Sequence, residues 1–296
     1  MLHKFKKMNI LITGCNGFLG KEFASYFANE NYNLFLTNRN TLDVTDSKAV
    51  NKFFDEHNID IVLHTAVKGG QRDQPDNHDI FLKNLIMFDN LVRNRDKFGL
   101  MINFGSGAAF DKTKDLDNTS EEKIFNRFPS DYYGLSKNMI AREILKINNN
   151  IVNFRLFGCF GEHEHSFRMI KNSLNRAFDE QTIVIHQNKL MDFFYVKDLC
   201  VVVEHYIHNF KKGRQLPHDL NLVYEEKTTL KEVACYIRDK INNEIRVIIN
   251  EKYYSKCYTG SARKLFSLNL PFTGLWKGID EVISARRKTT TNIRSS

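Results

Sequence analysis

Tyr133 and Lys137 stand four residues apart in Tyr133-Gly134-Leu135-Ser136-Lys137. Four residues is about one helical turn, so on a helix both side chains leave the same face. An ammonium beside a phenol stabilises the phenolate and lowers its pKa, which makes the tyrosine a usable acid near neutral pH. Alone the spacing is a weak signal, because solvated helix faces rich in Lys and Tyr produce it by accident. Two other features give it weight: a glycine-rich turn near the start of the chain, and a hydroxyl residue, Ser106, in Gly105-Ser106-Gly107.

The glycine turn follows an apolar run, Met8 to Thr13, and reads Gly14-Cys15-Asn16-Gly17-Phe18-Leu19-Gly20. Apolar residues then fall at Leu19, Phe23, Tyr26 and Phe27, a helical stripe. Strand, glycine loop and helix in that order form the setting for a dinucleotide site. Gly14, Gly17 and Gly20 permit a tight turn and close approach to a pyrophosphate, with a helix N-terminus aimed at the negative charge. Asn16, Phe18 and Leu19 complete that loop as cofactor contacts. A second strand, Asn33 to Thr37, ends at Asn38-Arg39, where an NAD-selective site carries an acidic residue for the ribose 2′-hydroxyl. Arg39 can instead pair with a 2′-phosphate, so NADP (as NADPH) is favoured, with NAD as the alternative. The competing reading of Arg39 is a solvated loop residue.

These residues need elements to position them. Leu42-Asp43-Val44-Thr45-Asp46 leads into a helix carrying Val50, Phe53 and Phe54. A third strand, 59–65, ends in Thr65-Ala66-Val67-Lys68-Gly69-Gly70, whose small residues let a cofactor lie close to the backbone. A helix over 79–95 and a strand over 100–104 follow, and then Ser106. Strands and helices alternating at this spacing predict an α/β fold, a Rossmann-type doubly wound parallel sheet. Ligands bind such sheets at the carboxyl ends of the strands. Ser106 is there, either meeting a substrate or merely capping its own turn. The polar segment 111–129 is expected to be a loop over the site. After the Tyr133/Lys137 helix comes a strand over 151–156.

Beyond Gly158 the alternation weakens. Helices are expected over 167–178, 198–208 and 230–241, and short strands over 182–185, 219–223 and 244–249. The pattern divides the chain into an NAD(P)-binding domain, 1–157, with a return segment at 185–210, and a smaller mixed α/β substrate lobe, 158–296. The polar run 286–296 reads as a disordered tail. Substrate is expected between the two lobes.

The chain has 296 residues, 42% hydrophobic and 26% charged, as expected for an ordinary soluble protein. No apolar run approaches the roughly 20 residues of a membrane span. The basic opening Met1 to Lys7 lacks a signal-peptide core. Five scattered cysteines suit reduced thiols in the cytoplasm better than a disulfide framework. The net charge of +8 fits either a nucleic-acid binder or an enzyme for a polyanionic small substrate, and composition does not separate them. Lysines and arginines are spread along the chain, with one dense run, Arg286-Arg287-Lys288, opening the polar tail, and no nucleic-acid partner is expected. His163-Glu164-His165 supplies two metal-type ligands without a third cluster, so no metal is expected.

Taken together, the T-G-x-x-G-x-x-G run at 13–20, Ser106 and the Tyr133/Lys137 pair resemble the extended short-chain dehydrogenase/reductase family. The resemblance continues in Phe154-Arg155-Leu156-Phe157-Gly158, in Asp192 to Leu199, and in Arg263-Lys264-Leu265. Leu42 to Asp46 and Ala66 to Gly70 are similar to the GDP-L-fucose synthases and dTDP-4-dehydrorhamnose reductases within it. The resemblance implies NADPH-dependent reduction of the 4-keto group of a nucleotide-linked 6-deoxy sugar, in deoxy-sugar and glycan biosynthesis. Ser106 would bind the sugar oxygen, Tyr133 would protonate it, and Lys137 would hold the nicotinamide ribose. Gly14, Gly17 and Gly20 would carry the pyrophosphate, Asn38 and Arg39 the adenosine ribose, Asp43 and Val44 the adenine. Thr65, Ala66 and Val67 would line the cofactor, and Lys68, Phe157 and Arg263 the substrate. A homodimer through the helices at 79–95 and 132–146 is implied as well.

The departures narrow the chemistry. Dehydratases of the family carry an Asp-Glu pair after the catalytic hydroxyl, where this chain has Gly107 and Ala108. Fucose synthases epimerise with a Cys at the position of Ala108. Two rival readings stand beside the reductase: a nucleotide-sugar C4-epimerase with tightly bound NAD, and a non-catalytic dinucleotide-binding regulator.

Overall fold

The computed structural model describes residues 7–29, 31–70, 75–147, 150–251 and 255–294. Its central feature is a six-stranded sheet built from β1 (Met8–Thr13), β2 (Tyr32–Thr37), β3 (Ile61–His64), β4 (Leu100–Ser106), β6 (Ile151–Leu156) and β10 (Asp219–Leu222). Their spatial order is β10-β6-β4-β3-β1-β2. β1 pairs in parallel with β2 and β3, and β3 with β4, so Thr13, Thr37, His64 and Asn103 stand level. The strand centres are buried on both faces, as the apolar runs require of a covered parallel sheet.

Side chains alternate across the sheet. Leu11, Val62, Met101 and Ile151 pack on one face with α2 (Ser47–Glu56), α3 (His78–Val92) and α4 (Tyr132–Ile147), through Val50, Phe54, Met87, Leu91, Ile140 and Ile144. The other face holds an aromatic chain from α1 (Phe18–Tyr26) to α6 (Val196–Lys211). Phe23 lies 5.0 Å from Phe104, and Phe154 lies 4.7 Å from Tyr206. The helices begin at side-chain caps: Asp46 accepts from Lys48 N and Ala49 N for α2, and Asn77 from Ile80 N for α3.

By compactness the chain divides into two units: 1–111, 121–155 and 202–220, and 112–120, 156–201 and 221–296. The stretch that returns into the first unit is 202–220, which ends within β10 (Asp219–Leu222), where 185–210 was expected. Polarity predicted a loop over 111–129, but the structure places β5 (Leu116–Thr119) there, paired in parallel with β12 (Tyr258–Gly260). That strand has too little apolar content to announce itself, and a partner about 140 residues away creates it.

The second unit also pairs β7 (Cys159–Phe160) with β9 (Phe194–Tyr195), and β8 (Ile183–Ile185) with β11 (Val247–Ile249). Helices α5 (Met169–Phe178), α7 (Leu230–Ile241), α8 (Arg263–Phe266) and α9 (Leu275–Arg294) complete it. α7 opens with a full capping box between Thr229 and Glu232. Of the run 286–296 expected to be a disordered tail, 286–294 form the end of α9, and 295–296 lie outside the described residues. Packing supplies what the polar sequence hides. The Arg286 guanidinium lies 4.6 Å over Phe178, and Arg287 donates to Lys240 O at 3.0 Å. Among the described residues, no helix is long and apolar enough to cross a membrane.

Candidate functional site

The parallel strands bring their carboxyl ends to one edge, so the segments after β1, β2, β3 and β4 meet there. Gly14 follows β1 at φ +67°, a left-handed conformation that disfavours side chains. A Cβ on it would lie 2.8 Å from the Ala66 Cα after β3. A Cβ on Gly20 would lie 2.5 Å from Gly14 O, so the loop folds tightly onto the start of α1. Gly17 is the helix N-cap and donates its N–H to Gly14 O at 3.0 Å. α1 has no side-chain cap and no acid in its first turn, which leaves its positive end open to an anion. Asn16 is exposed beside it, with Phe18 and Leu19 half-buried.

After β3, Thr65 donates its hydroxyl to Thr13 O at 2.5 Å, and Ala66 N donates to Thr13 Oγ1 at 3.3 Å. Val67 is exposed. Lys68 forms an ion pair with Asp79, which Lys83 also approaches at 3.2 Å. After β2, Asn38 is spent on a turn, its side chain accepting from Asn40 N and its carbonyl from Thr41 N and Leu42 N. Arg39 is 80% exposed and 3.6 Å from Asp43, a loose pair that leaves it able to reach a phosphate. Hydrogen bonds from Thr45 hold the Asp43 carboxyl below its usual pKa. Val44 is buried in the core, with its carbonyl held by Asn90.

Ser106 closes β4, and its Oγ accepts from Ala108 N at 3.1 Å. The turn-capping role is therefore real, and it leaves the hydroxyl hydrogen to point elsewhere. α4 reaches the same turn. A Cβ on Gly134 would lie 2.5 Å from Ala108 O, so only glycine allows this approach. Asn138 clamps the contact by donating to Ala109 O at 2.8 Å and to Ile124 O at 3.2 Å. Asp131 accepts from Gly134 N, and Asp76 from the N–H groups of Tyr132 and Tyr133, which fixes the first turn of α4.

Lys137 is buried, donates to Phe104 O at 2.9 Å, and stands 5.9 Å from the centre of the Tyr133 ring. Burial pulls its pKa down to about 8. Below it, His64 is bonded to Thr13 Oγ1 at 2.9 Å, and burial together with the Lys137 charge pushes its pKa to about 3. His64 is thus neutral at working pH, and the one cation beneath Tyr133 is Lys137 among these groups.

Sequence patterns missed Asn84, Asp76 and the packing roles of Gly70 and Gly134. Asn84 holds Lys68 through both its N–H and its C=O, at 2.9 and 3.0 Å, and donates to Ser136 Oγ at 3.1 Å. Its signal was available, since an amide at position 84 interrupts the apolar stripe Ile80, Met87, Phe88 and Leu91. A Cβ on Gly70, at φ +80°, would lie 2.9 Å from the Tyr133 ring, and nothing in the sequence foretold that contact. Phe157 and Arg263 belong to the second unit. Phe157 is buried edge-on against Tyr258 at 5.1 Å, and Arg263 is exposed at the start of α8. Among the described residues, no group of three or more His, Cys, Asp or Glu side chains could hold a metal ion.

The first-unit arrangement fits a dinucleotide on its own terms. Any Cβ at Gly14 or Gly20 would fill the cradle, the α1 terminus is uncapped, and Lys137 keeps two N–H groups beyond the one given to Phe104 O. Residues 10–222 match the NAD dependent epimerase/dehydratase family. Among curated proteins, GDP-L-colitose synthase of Yersinia pseudotuberculosis is 22% identical over 76% of this chain and 79% of its own. Among solved structures, GDP-mannoheptose C4 reductase of Campylobacter jejuni, with NADP bound, superposes with a TM-score of 0.81. It is 18% identical over 96% of this chain and 99% of its own. dTDP-4-dehydrorhamnose reductase of Bacillus anthracis, in complex with NADP, gives 0.79 at 20% identity, over 95% and 99%.

Proposed function

The chain belongs to the NAD dependent epimerase/dehydratase family, and from that premise we propose that it is an NADPH-dependent reductase of the 4-keto group of a nucleotide-linked 6-deoxy sugar. The observation that carries the reading is the buried Lys137 ammonium held by Phe104 O beneath Tyr133, on a helix that Gly134 lets touch the Ser106 turn. The relatives named above, reductases and a synthase acting on GDP- or dTDP-linked sugars by their names, support the substrate class.

When bound, the dinucleotide supplies the hydride. Gly14, Gly17 and Gly20 with the α1 terminus hold its pyrophosphate, and Asn38 and Arg39 face its adenosine ribose. Thr65, Ala66 and Val67 line it beside Asp43. Ser106 donates its hydroxyl hydrogen to the sugar oxygen, since its lone pair already accepts from Ala108 N. Tyr133 passes its phenolic proton to the same oxygen as negative charge builds there. Lys137 stabilises the resulting phenolate and holds the ribose through its two remaining N–H groups. Lys68 is the substrate contact of the first unit in this reading. The enzyme acts in the cytoplasm, in the synthesis of a deoxy sugar for a glycan. It pairs as a homodimer through α3 and α4, whose exposed apolar side chains Leu82, Ile86 and Met139 suit a helix-to-helix contact.

The test is NADPH oxidation, followed by absorbance, against a panel of GDP-, dTDP-, CDP- and UDP-linked 4-keto-6-deoxy sugars, with NADH alongside. Turnover of one member with NADPH preferred is the expected result. No oxidation with any member, and NAD retained through purification, would overturn it in favour of the C4-epimerase.

A further inference from the structure

The face of the sheet that packs on α2, α3 and α4 is apolar at its amino-terminal half, with Met101 on β4 and Ile151 on β6. Two residues later on each strand, on the same face, it becomes polar. Asn103 donates through Nδ2 to Asn153 Oδ1 at 2.7 Å, and Asn153 Nδ2 donates to Asp219 Oδ1 at 2.7 Å. Arg155 NH2 then donates to both oxygens of Asp219, at 2.9 and 2.7 Å. None of the four is more than 3% exposed. The chain of bonds grips the Ser106 turn from both sides. On one side, a Cβ at Gly105 would lie 2.6 Å from Asn153 Oδ1, so the amide abuts the residue before Ser106. Gly105 is needed there for space, not for a left-handed φ. On the other, the Arg155 guanidinium lies 4.7 Å over Phe110, whose N–H closes the turn on Gly107 O.

We propose that Asn153 is a positioning residue for Ser106, fixing the serine hydroxyl through the Gly105 backbone at one end and through Arg155 and Phe110 at the other. The inference rests on the reductase reading for what Ser106 does, but not for where Ser106 is held. A buried ion pair with its amides adds little net stability over well-packed apolar side chains, which the neighbouring positions Met101 and Ile151 already use. Hydrogen bonds instead fix distance and direction, and a catalytic hydroxyl displaced by about 1 Å loses on the order of a hundredfold in rate. The bonds described run through Asn103, Asn153, Asp219 and Arg155 and involve none of Gly14, Gly17 and Gly20, so their loss acts on turnover and not on cofactor affinity.

The experiment is a double-mutant cycle on the full-length protein with Asn153→Ala and Ser106→Ala. It is read as kcat, as NADPH affinity by fluorescence, and as amide exchange over residues 104–111 by mass spectrometry. The expected result is a fall in kcat of roughly tenfold to a hundredfold for N153A. NADPH affinity stays within about threefold, and no further fall occurs once Ser106 is already Ala. Exchange over 104–111 quickens while 14–20 is unchanged. Multiplicative losses in the double mutant, or unchanged exchange over 104–111, overturn the proposal. Should N153A fail to fold, Phe110→Leu breaks the grip at its other end and carries the same readouts. If the wild type turns over no sugar nucleotide in the panel, the reductase reading has failed, and the exchange measurement alone decides where Ser106 is held.

Discussion

Binding of NADPH is expected to take up a proton at Lys137 above pH 8, and its affinity to fall with pH accordingly. In the free protein, burial holds the ammonium at a pKa of about 8, with Phe104 O as its acceptor. A bound dinucleotide gives the two remaining N–H groups ribose oxygens and adds phosphate charge, both of which favour the charged lysine and return its pKa toward the ordinary value. The sign follows from linkage. Below pH 8 the lysine is charged in both states and affinity is flat, whereas above it the free protein must gain a proton to bind. Uptake is then about half a proton at pH 8, and the dissociation constant rises about tenfold between pH 7 and pH 9. His64, with a pKa of about 3, is silent throughout. The 2′-phosphate titrates near about pH 6, so the comparison begins at pH 7. Calorimetry in buffers of different ionisation enthalpy measures the uptake, and fluorescence titration measures the affinity. Lys137→Met is expected to bind more weakly and with no slope. A flat wild-type profile from pH 7 to 9.5, or the same slope in K137M, would refute the reasoning.

Three further outcomes follow from the geometry. Gly134→Ala improves helix propensity by about 1 kcal/mol, yet its methyl would meet Ala108 O at 2.5 Å; kcat is expected to fall by roughly tenfold or more while NADPH affinity holds, and unchanged kcat would show that the contact yields without moving the turn. Asn84→Ala removes three hydrogen bonds between Lys68, Ser136 and α3, which costs about 2–3 kcal/mol and lowers Tm by roughly 5–10 °C in a thermal melt. Arg39→Ala is expected to lower kcat/KM about tenfold to a hundredfold with NADPH and leave it unchanged with NADH, the difference being one charge-assisted pair to the 2′-phosphate.

Local patterns determined the alternating fold and the motifs hung on it. A glycine loop after an apolar strand, an arginine after the second strand, and Tyr133 and Lys137 one turn apart are all short-range facts, and backbone geometry places them without help from the rest of the chain. The helices over 79–95 and 230–241 were legible for the same reason, since one face of each repeats at helical spacing. What the tertiary structure decided is everything that depends on a distant partner. Leu116–Thr119 is a strand only because Tyr258–Gly260 pairs with it. The basic run at 286–288 stays helical because Arg286 finds Phe178 and Arg287 finds Lys240 O. Phe157, exposed or buried with equal ease on paper, is closed against Tyr258. The sharpest case is Lys137. Its type and spacing named it as a cation for a tyrosine, but its depressed pKa, its bond to Phe104 O and the neutral histidine below it come from burial. Burial is a property of the packed chain and of no window along it.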